Sequence, residues 1–469
     1  MESKYKRLIG NSAWNIAGNA GSKLISFLLL PFYTKWLGTE GYGFSDLITT
    51  YSTLFGGLVT LCVSDAILVF VKDKSPEGKK SYYSSSITTA LALCLIWGLI
   101  LVSIKSIGIG KGFVVENVYY IFGMIVTNFL QTSSQQMALA LDKIRVYSFT
   151  GLVQCLTIFG FSWALIPKYG VVGYVYAMIF ANVVTSCYSV LMAGSWRYLS
   201  FAATERNKVV ELLKYSIPLI PNVIMWWLVS ALNRPLLESN LGLSSVGLYA
   251  VAQKFPGIVT LIFSLFSVTW TVSVLEEYAK PGFDHFYEKV FRAIFSVVVL
   301  FSLLLMFFSK QIIYLLTAPE FHEAYKYMVI LILGSVFSCM SAFWGTCFGV
   351  VKKSKYFFYS SVWGAITAIV LNYLLIPRFE IYGAALSVVI SFFVTAISRY
   401  CYSLKFVHSK LMLLSGLYTI VLSLGIISVL FIDSVMIRIA LLVISIVLII
   451  FVEKNNIKIC FELIRSRMK

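Results

Sequence analysis

Charge is scarce in this sequence. Only 13% of its 469 residues are Asp, Glu, Lys or Arg, while 59% are hydrophobic and the mean hydropathy is +0.85. A soluble domain carries roughly 25% charged residues, so a water-soluble globular protein is excluded and the composition is that of an integral membrane protein. Acidic residues are scarcer than basic ones, 21 against 38, for a formal net charge of +17. A nucleic-acid partner is set aside, because the basic residues sit in short loops between apolar runs, the pattern that encodes orientation in membranes. The eight cysteines are scattered with no CxxC pair, which excludes a disulfide framework and reads as free core thiols. His285, His322 and His408 are isolated, so no metal site and no cofactor are expected. No GxxxxGK[ST] run and no soluble ATP-hydrolysing domain are present. The start, MESKYKRLIG, is basic and precedes an apolar run as in a signal peptide, but it lacks a small-residue cleavage site and the run continues too far.

What is abundant is apolar sequence in membrane-length pieces. About 20 residues cross about 30 Å of hydrocarbon. Fourteen such segments are expected, near 10–35, 42–71, 82–103, 116–141, 146–166, 170–194, 210–234, 245–275, 289–316, 324–351, 355–376, 381–403, 411–431 and 435–452. The fold class expected is therefore all-α, a polytopic membrane protein of about 14 transmembrane helices. Alternate loops beginning with the N-terminus hold 27 of the 38 lysines and arginines, against about 8 in the opposite loops, which predicts that both termini are cytoplasmic.

The chain repeats itself. Leu37-Gly38 with Gly43 recurs 204 residues later as Leu241-Gly242 with Gly247. Leu165-Ile166-Pro167-Lys168 with Gly173 recurs 210 residues later as Leu375-Ile376-Pro377-Arg378 with Gly383. Six spans separate the copies, so they share one orientation, which predicts two parallel six-helix bundles meeting around a central cavity. The expected division is residues 1–208, residues 209–405, and two extra helices with a basic tail over 406–469.

Several spans carry polar residues where lipid would reject them. At 100° per residue, Asn11, Asn15, Asn19 and Lys23 follow one face of the first span, joined by Ser22 and Ser26. A cation at depth costs at least about 2.5–3.5 kcal/mol, so Lys23 either faces a wet cavity or snorkels to the interface. In the second span, Asp46, Thr50, Thr53, Gly57, Thr60 and Ser64 share a face, suited to close helix packing or, at ionisable Asp46, to holding a proton or Na⁺. Asn222, Trp226, Ser230, Asn233 and Arg234 share a face of the seventh span, and Gln253 and Lys254 lie one turn beyond Tyr249 in the eighth. Pro31, Pro218, Pro221 and Pro256 fall inside or at the start of spans one, seven and eight, where a missing backbone donor bends a helix. The candidate cavity cations are Lys23, Arg234 and Lys254, and the candidate polar or coupling residues are Asn15, Asn19, Asp46, Asn222 and Gln253.

The run Asn11-Ser12-Ala13-Trp14-Asn15, then Pro31-Phe32-Tyr33-Thr34, Leu37-Gly38 and Tyr42-Gly43, resembles the start of bacterial oligosaccharide flippases. These form the polysaccharide transporter branch of the multidrug/oligosaccharidyl-lipid/polysaccharide exporter superfamily. The paired Leu-Ile-Pro-basic runs are similar to that family's paired segments, and the likeness covers essentially the whole chain. It implies a transporter rather than an enzyme, one that turns undecaprenyl-diphosphate-linked repeat units across the bacterial inner membrane for O-antigen, capsule or a related polymer. Its implied partners are the lipid-linked oligosaccharide, membrane lipids, and a polysaccharide polymerase and chain-length regulator, with coupling to H⁺ or Na⁺. In the related lipid II flippases basic residues on spans one and eight serve the diphosphate, and Lys254, in Gln253-Lys254-Phe255-Pro256, sits where the span-eight cation would fall. Lysine supplies a point charge where those relatives favour the arginine fork. A membrane glycosyltransferase or polymerase would bring a large outside loop with carboxylates, and the longest outside loop here, about 104–115, carries none. A major-facilitator transporter would carry a Gly/Asp/Arg-rich turn after span two, where this chain reads Lys72-Asp-Lys-Ser-Pro-Glu-Gly-Lys-Lys80. The alternative sharing the fold is an ion-coupled multidrug exporter.

Overall fold

The computed structural model describes residues 21–23, 25–107, 112–351 and 353–453. Every regular element among them is helical. The chain divides into two compact units, Met1–Trp227 and Leu228–Lys469.

In the first unit α1 (Leu30–Val59) is followed by α2 (Val63–Val71), α3 (Pro76–Ile107), the short α4 (Phe113–Glu116), α5 (Val118–Ala140), α6 (Ile144–Ala193) and the amphipathic α7 (Arg206–Ser216). α8 (Ile220–Ser230) crosses the boundary between the units. Ala66, Ile67 and Val71 of α2 bury against Tyr82, Tyr83 and Ile87 of α3, Phe129 and Met137 of α5, and Leu212 of α7. A second core gathers Ile48 and Val59 of α1, Ile121 and Met124 of α5, and Val175 and Met178 of α6.

The second unit contains α9 (Asn233–Leu241), α10 (Leu243–Lys254), α11 (Pro256–Glu277), α12 (Phe283–Phe307), α13 (Ser309–Leu316), α14 (Ala324–Val350), α15 (Lys355–Ser403), α16 (Leu411–Phe431) and α17 (Val435–Val452). α14 is its centre, and aromatic stacking fastens neighbours to it. Trp270 of α11 stacks on Phe343 at 4.6 Å, and Phe291 of α12 stacks on Trp344 at 5.7 Å. Such pairs add about 0.5–1.5 kcal/mol beyond the area they bury.

The repeat motifs are turns. Gly38 and Gly242, which correspond in the repeat, adopt φ 63°, ψ −179° and φ 84°, ψ 177°, a conformation that favours glycine. The helical path breaks again at Gly170 in α6 and at Glu380 in α15, with φ 57° and 52°. α6 has 50 residues and α15 has 49, each about 75 Å if straight, enough for two crossings. Both fold back on themselves. Gln154 bonds Asn182 within α6, and a Cβ on Gly364 would overlap the Thr395 hydroxyl within α15. In each hairpin the glycine of the motif, Gly173 or Gly383, lies so close to the carbonyl of Leu165 or Leu375 that a Cβ would overlap it. The Leu-Ile-Pro-basic-(x)4-Gly repeat is therefore the requirement of a tight helical hairpin.

Among the described residues nine helices are long and apolar enough to cross a membrane, or ten with the bent pair α1 and α2 taken as one span. The expected count of fourteen is not confirmed by this measure, because α6 and α15 each pass as one helix and the first segment is described only in part. The four prolines singled out lie where elements begin: Pro31 in the first turn of α1, Pro218 in the 3-10 turn Ile217–Leu219, Pro221 in the first turn of α8, and Pro256 as the first residue of α11, whereas Pro167 and Pro377 lie inside α6 and α15.

Candidate functional site

The candidate residues divide between the units. In the first, Lys23 and Asn222 are exposed and Asp46 is half-buried. Asn15 and Asn19 lie outside the described residues. The serines expected beside Lys23 have another task. Ser22 sits against Gly151, the Ser26 hydroxyl lies 3.3 Å from the Cys155 sulfur, and the Cys155 thiol donates to the Ser22 carbonyl at 3.3 Å. That side packs closely on α6, as small residues allow. The polar row from Asp46 to Ser64 is likewise interrupted, because α1 stops at Val59 and α2 leaves at 59°. Thr50 is buried, its carbonyl accepting from the Trp227 indole at 3.0 Å.

In the second unit Arg234, Tyr249, Gln253 and Lys254 are brought onto neighbouring turns. The Arg234 guanidinium lies 5.5 Å from the centre of the Tyr249 ring and donates to the Ser230 carbonyl at 2.9 Å. The Asn233 amide donates to the Tyr249 hydroxyl. Gln253 and Asn233 each retain a buried carbonyl oxygen that no group among the described residues satisfies. Lys254 is exposed on its unit and is the last residue of α10, next to Phe255, whose backbone stays helical, and Pro256, which brings no backbone donor.

Two features were missed in the sequence. One is a chain of carboxamides inside the first unit. Gln131 donates to Gln154 at 3.0 Å, Gln154 to Asn182 at 2.9 Å, and Asn182 to Asn128 at 2.9 Å and to Thr127 at 3.3 Å. The other is a pair of apolar cavities along α16. Near its C-terminal end a cavity of about 650 Å³ is lined by Ile330, Leu333, Leu386, Ile426 and Leu430, and towards its N-terminal end one of about 260 Å³ by Phe337, Met340, Phe393, Met412 and Ile420. One face of α16 borders both, opposite α14 and the second arm of α15. Among the described residues no three His, Cys, Asp or Glu side chains are placed to hold a metal ion together.

Apolar membrane-length helices built as repeated hairpin-linked units, with a buried carboxamide chain, define a polytopic membrane transporter of the multidrug/oligosaccharidyl-lipid/polysaccharide exporter fold. The profile of the family described as "Polysaccharide biosynthesis protein" matches residues 8–274, more than half of the chain, and the chain belongs to that family. The MatE profile matches residues 218–374. The capsular polysaccharide biosynthesis protein CapF of Staphylococcus aureus is 23% identical over 84% of this chain and 98% of its own length. The Lsg locus putative protein 1 of Haemophilus influenzae is 24% identical over 54% of this chain and 63% of its own length. Among solved structures, the lipid II flippase MurJ in an inward closed conformation superposes with TM-score 0.72 at 15% identity, covering 94% of this chain and 98% of that one. An inward-facing multidrug resistance MATE transporter gives 0.60 at 15% identity, over 84% and 93%. At those identities the likeness is one of fold.

Proposed function

We propose that this protein is a flippase for undecaprenyl-diphosphate-linked oligosaccharides, turning repeat units of an O-antigen, capsule or related polymer from the cytoplasmic to the outer leaflet of the bacterial inner membrane. The observation that carries this reading is the pair of apolar cavities along one face of α16. A polyprenyl chain many methylenes long gains about 0.8 kcal/mol per buried CH₂, and two apolar cavities set one after the other along a helix suit such a chain better than a compact organic cation. The family and the capsular role named for CapF support the sugar end of the substrate. In this reading the first two blocks, 1–208 and 209–405, alternate access to a cavity, and 406–469 contributes the extra pair of helices and a basic tail. Lys23, Arg234 and Lys254 meet the diphosphate, while Asn15, Asn19, Asn222 and Gln253 hydrogen-bond headgroup and water. Asp46 takes a proton or Na⁺ to couple the cycle, and a polymerase and chain-length regulator receive the product. No chemical bond of the substrate is made or broken.

Purified protein in vesicles with a fluorescent lipid-linked oligosaccharide tests this. Wild type should move the label across the bilayer. Lys254→Ala should insert normally and lose this movement, Lys254→Arg should keep part of it, and Lys280→Ala should match wild type. Lys280 lies in the loop after α11, where its bond to Glu277 at 2.6 Å holds its ammonium above the usual range. Absence of lipid movement together with efflux of organic cations would identify a multidrug exporter instead.

A further inference from the structure

The second span is broken in a way that proline does not explain. α1 ends at Val59, and α2 departs from Val63 at 59°. Between them Leu61 and Cys62 both take the left-handed conformation, at φ 49° and 55°. Neither is glycine or asparagine, and each such residue costs about 1–3 kcal/mol. The break also redirects backbone hydrogen bonds. The Cys62 N–H closes on the Gly57 carbonyl at 3.2 Å and the Val63 N–H on the Thr60 carbonyl at 3.1 Å. Those two N–H groups would have served the carbonyls of Leu58 and Val59 in an uninterrupted helix, so the C-terminal end of α1 releases two acceptors.

Three residues beyond the break comes Asp65. The buried side of α2 is Val63, Ala66, Ile67 and Val71, which turns Asp65 outward beside Val69, itself 55% exposed. Asp65 lies seven residues before Lys72, about 10 Å along the helix from that basic end, and its short side chain cannot cover that distance. The described residues offer its carboxylate no hydrogen-bond or ion-pair partner. Facing lipid there would cost about 2.5–3.5 kcal/mol, so the carboxylate belongs to a watered or protein-lined passage.

We propose that the break from Leu58 to Cys62 and the carboxylate of Asp65 form a binding site for an alkali cation. Carbonyls at the end of a helix and a carboxylate are hard oxygen donors, and the helix end carries partial negative charge of its own. Unwound carbonyls at broken spans are a general way for membrane proteins to hold Na⁺. One carboxylate balances one positive charge, which matches a monovalent ion better than a divalent one. The strain at Leu61 and Cys62 then has a use, since straightening the span would return the released carbonyls to N–H partners. This inference deepens the ion-coupling part of the flippase reading and rests on it for its role, though cation binding is measurable without transport.

The test is equilibrium binding of ²²Na⁺ to the purified full-length chain, paired with sodium-dependent thermal stabilisation against choline at equal ionic strength. Wild type should bind saturably, Asp65→Asn should weaken binding by about tenfold or more, Asp65→Glu should retain part of it, and Glu320→Gln, at an exposed carboxylate of the second unit, should bind as wild type. Should Asp65→Asn fail to fold, a water-soluble carbodiimide on wild type replaces it. Modification of Asp65, located by mass spectrometry, should be slowed by Na⁺ and not by choline. Sodium binding unchanged in Asp65→Asn, no saturable binding in wild type, or carbodiimide modification indifferent to Na⁺ would each overturn the site. Lipid movement that persists without sodium binding would remove this inference alone, whereas sodium binding without lipid movement would remove the flippase reading and leave the site.

Discussion

Glu380 stands where the other half of the chain has Gly170, and it holds nearly the same backbone conformation, φ 52° and ψ −129° against φ 57° and ψ −137°. An L-residue pays for that geometry and glycine does not. The Glu380 side chain is exposed, so its loss removes no packing. Glu380→Gly should therefore raise stability by about 1 kcal/mol, read as an upward shift in the midpoint of fluorescence-monitored unfolding in detergent, and Gly170→Glu should lower it. A fall in the Glu380→Gly midpoint would mean that the turn is not strained. The hairpin motif itself was legible as a repeat of letters, but its reason, a glycine against the carbonyl of Leu165 or Leu375, required the folded chain. Arg399 teaches the same lesson in reverse. In the sequence it falls at the end of the apolar segment expected near 381–403. In the structure its guanidinium donates to the Ser360 hydroxyl at 3.1 Å and to the Ser341 carbonyl at 3.3 Å, and lies 4.9 Å from the centre of the Phe357 ring. Which hydroxyls and rings surround a charge depends on the opposing helices, and helical periodicity along one segment is silent about them.

At the scale of elements, the carboxamide chain joins α5 to both arms of the α6 hairpin. Asn182 is 2% exposed and bonds three side chains, so truncating it leaves the Gln154 amide without its acceptor and the Asn128 carbonyl without its donor. Asn182→Ala should lower stability by about 1–2 kcal/mol. Because single intramembrane hydrogen bonds average only about 0.6 kcal/mol, the informative quantity is the coupling in a cycle with Gln154→Ala. Coupling of at least about 0.5 kcal/mol is expected in urea or thermal unfolding, and strict additivity would show that the two amides act separately. The elements that could be read from sequence were those with long apolar runs. The second span was read as one helix with one polar face. Its break at Leu61 and Cys62 escaped because nothing in a run of leucine, threonine, cysteine and valine announces a left-handed turn.

For the whole molecule, the bias of lysine and arginine predicts orientation. Reporters fused after Lys80, Lys208 or Lys353 should lie in the cytoplasm, and one after Ser239 outside it. An external signal from the fusion at Lys353 would overturn the alternation of spans on which the orientation rests. Lys353 is informative because it follows α14, the most enclosed helix of its unit, whose burial gives no indication of which way it points.

The sequence by itself determined the class of molecule, the positions of most apolar helices and the existence of a duplicated plan. Those follow from composition, segment length and spacing, which are properties of the chain read locally. It also singled out Lys254, since a lysine followed by Phe255-Pro256 well inside an apolar segment is visible without coordinates. Tertiary structure alone decided that Ser22 and Ser26 pack against α6, that four carboxamides form one connected chain, that Arg399 is enclosed by hydroxyls, and that α16 borders two apolar cavities. Each of these depends on which surfaces meet after folding. A hydrophobic residue reads the same in a sequence whether it fills a core, faces lipid or lines a groove, and only the neighbour opposite it makes the difference.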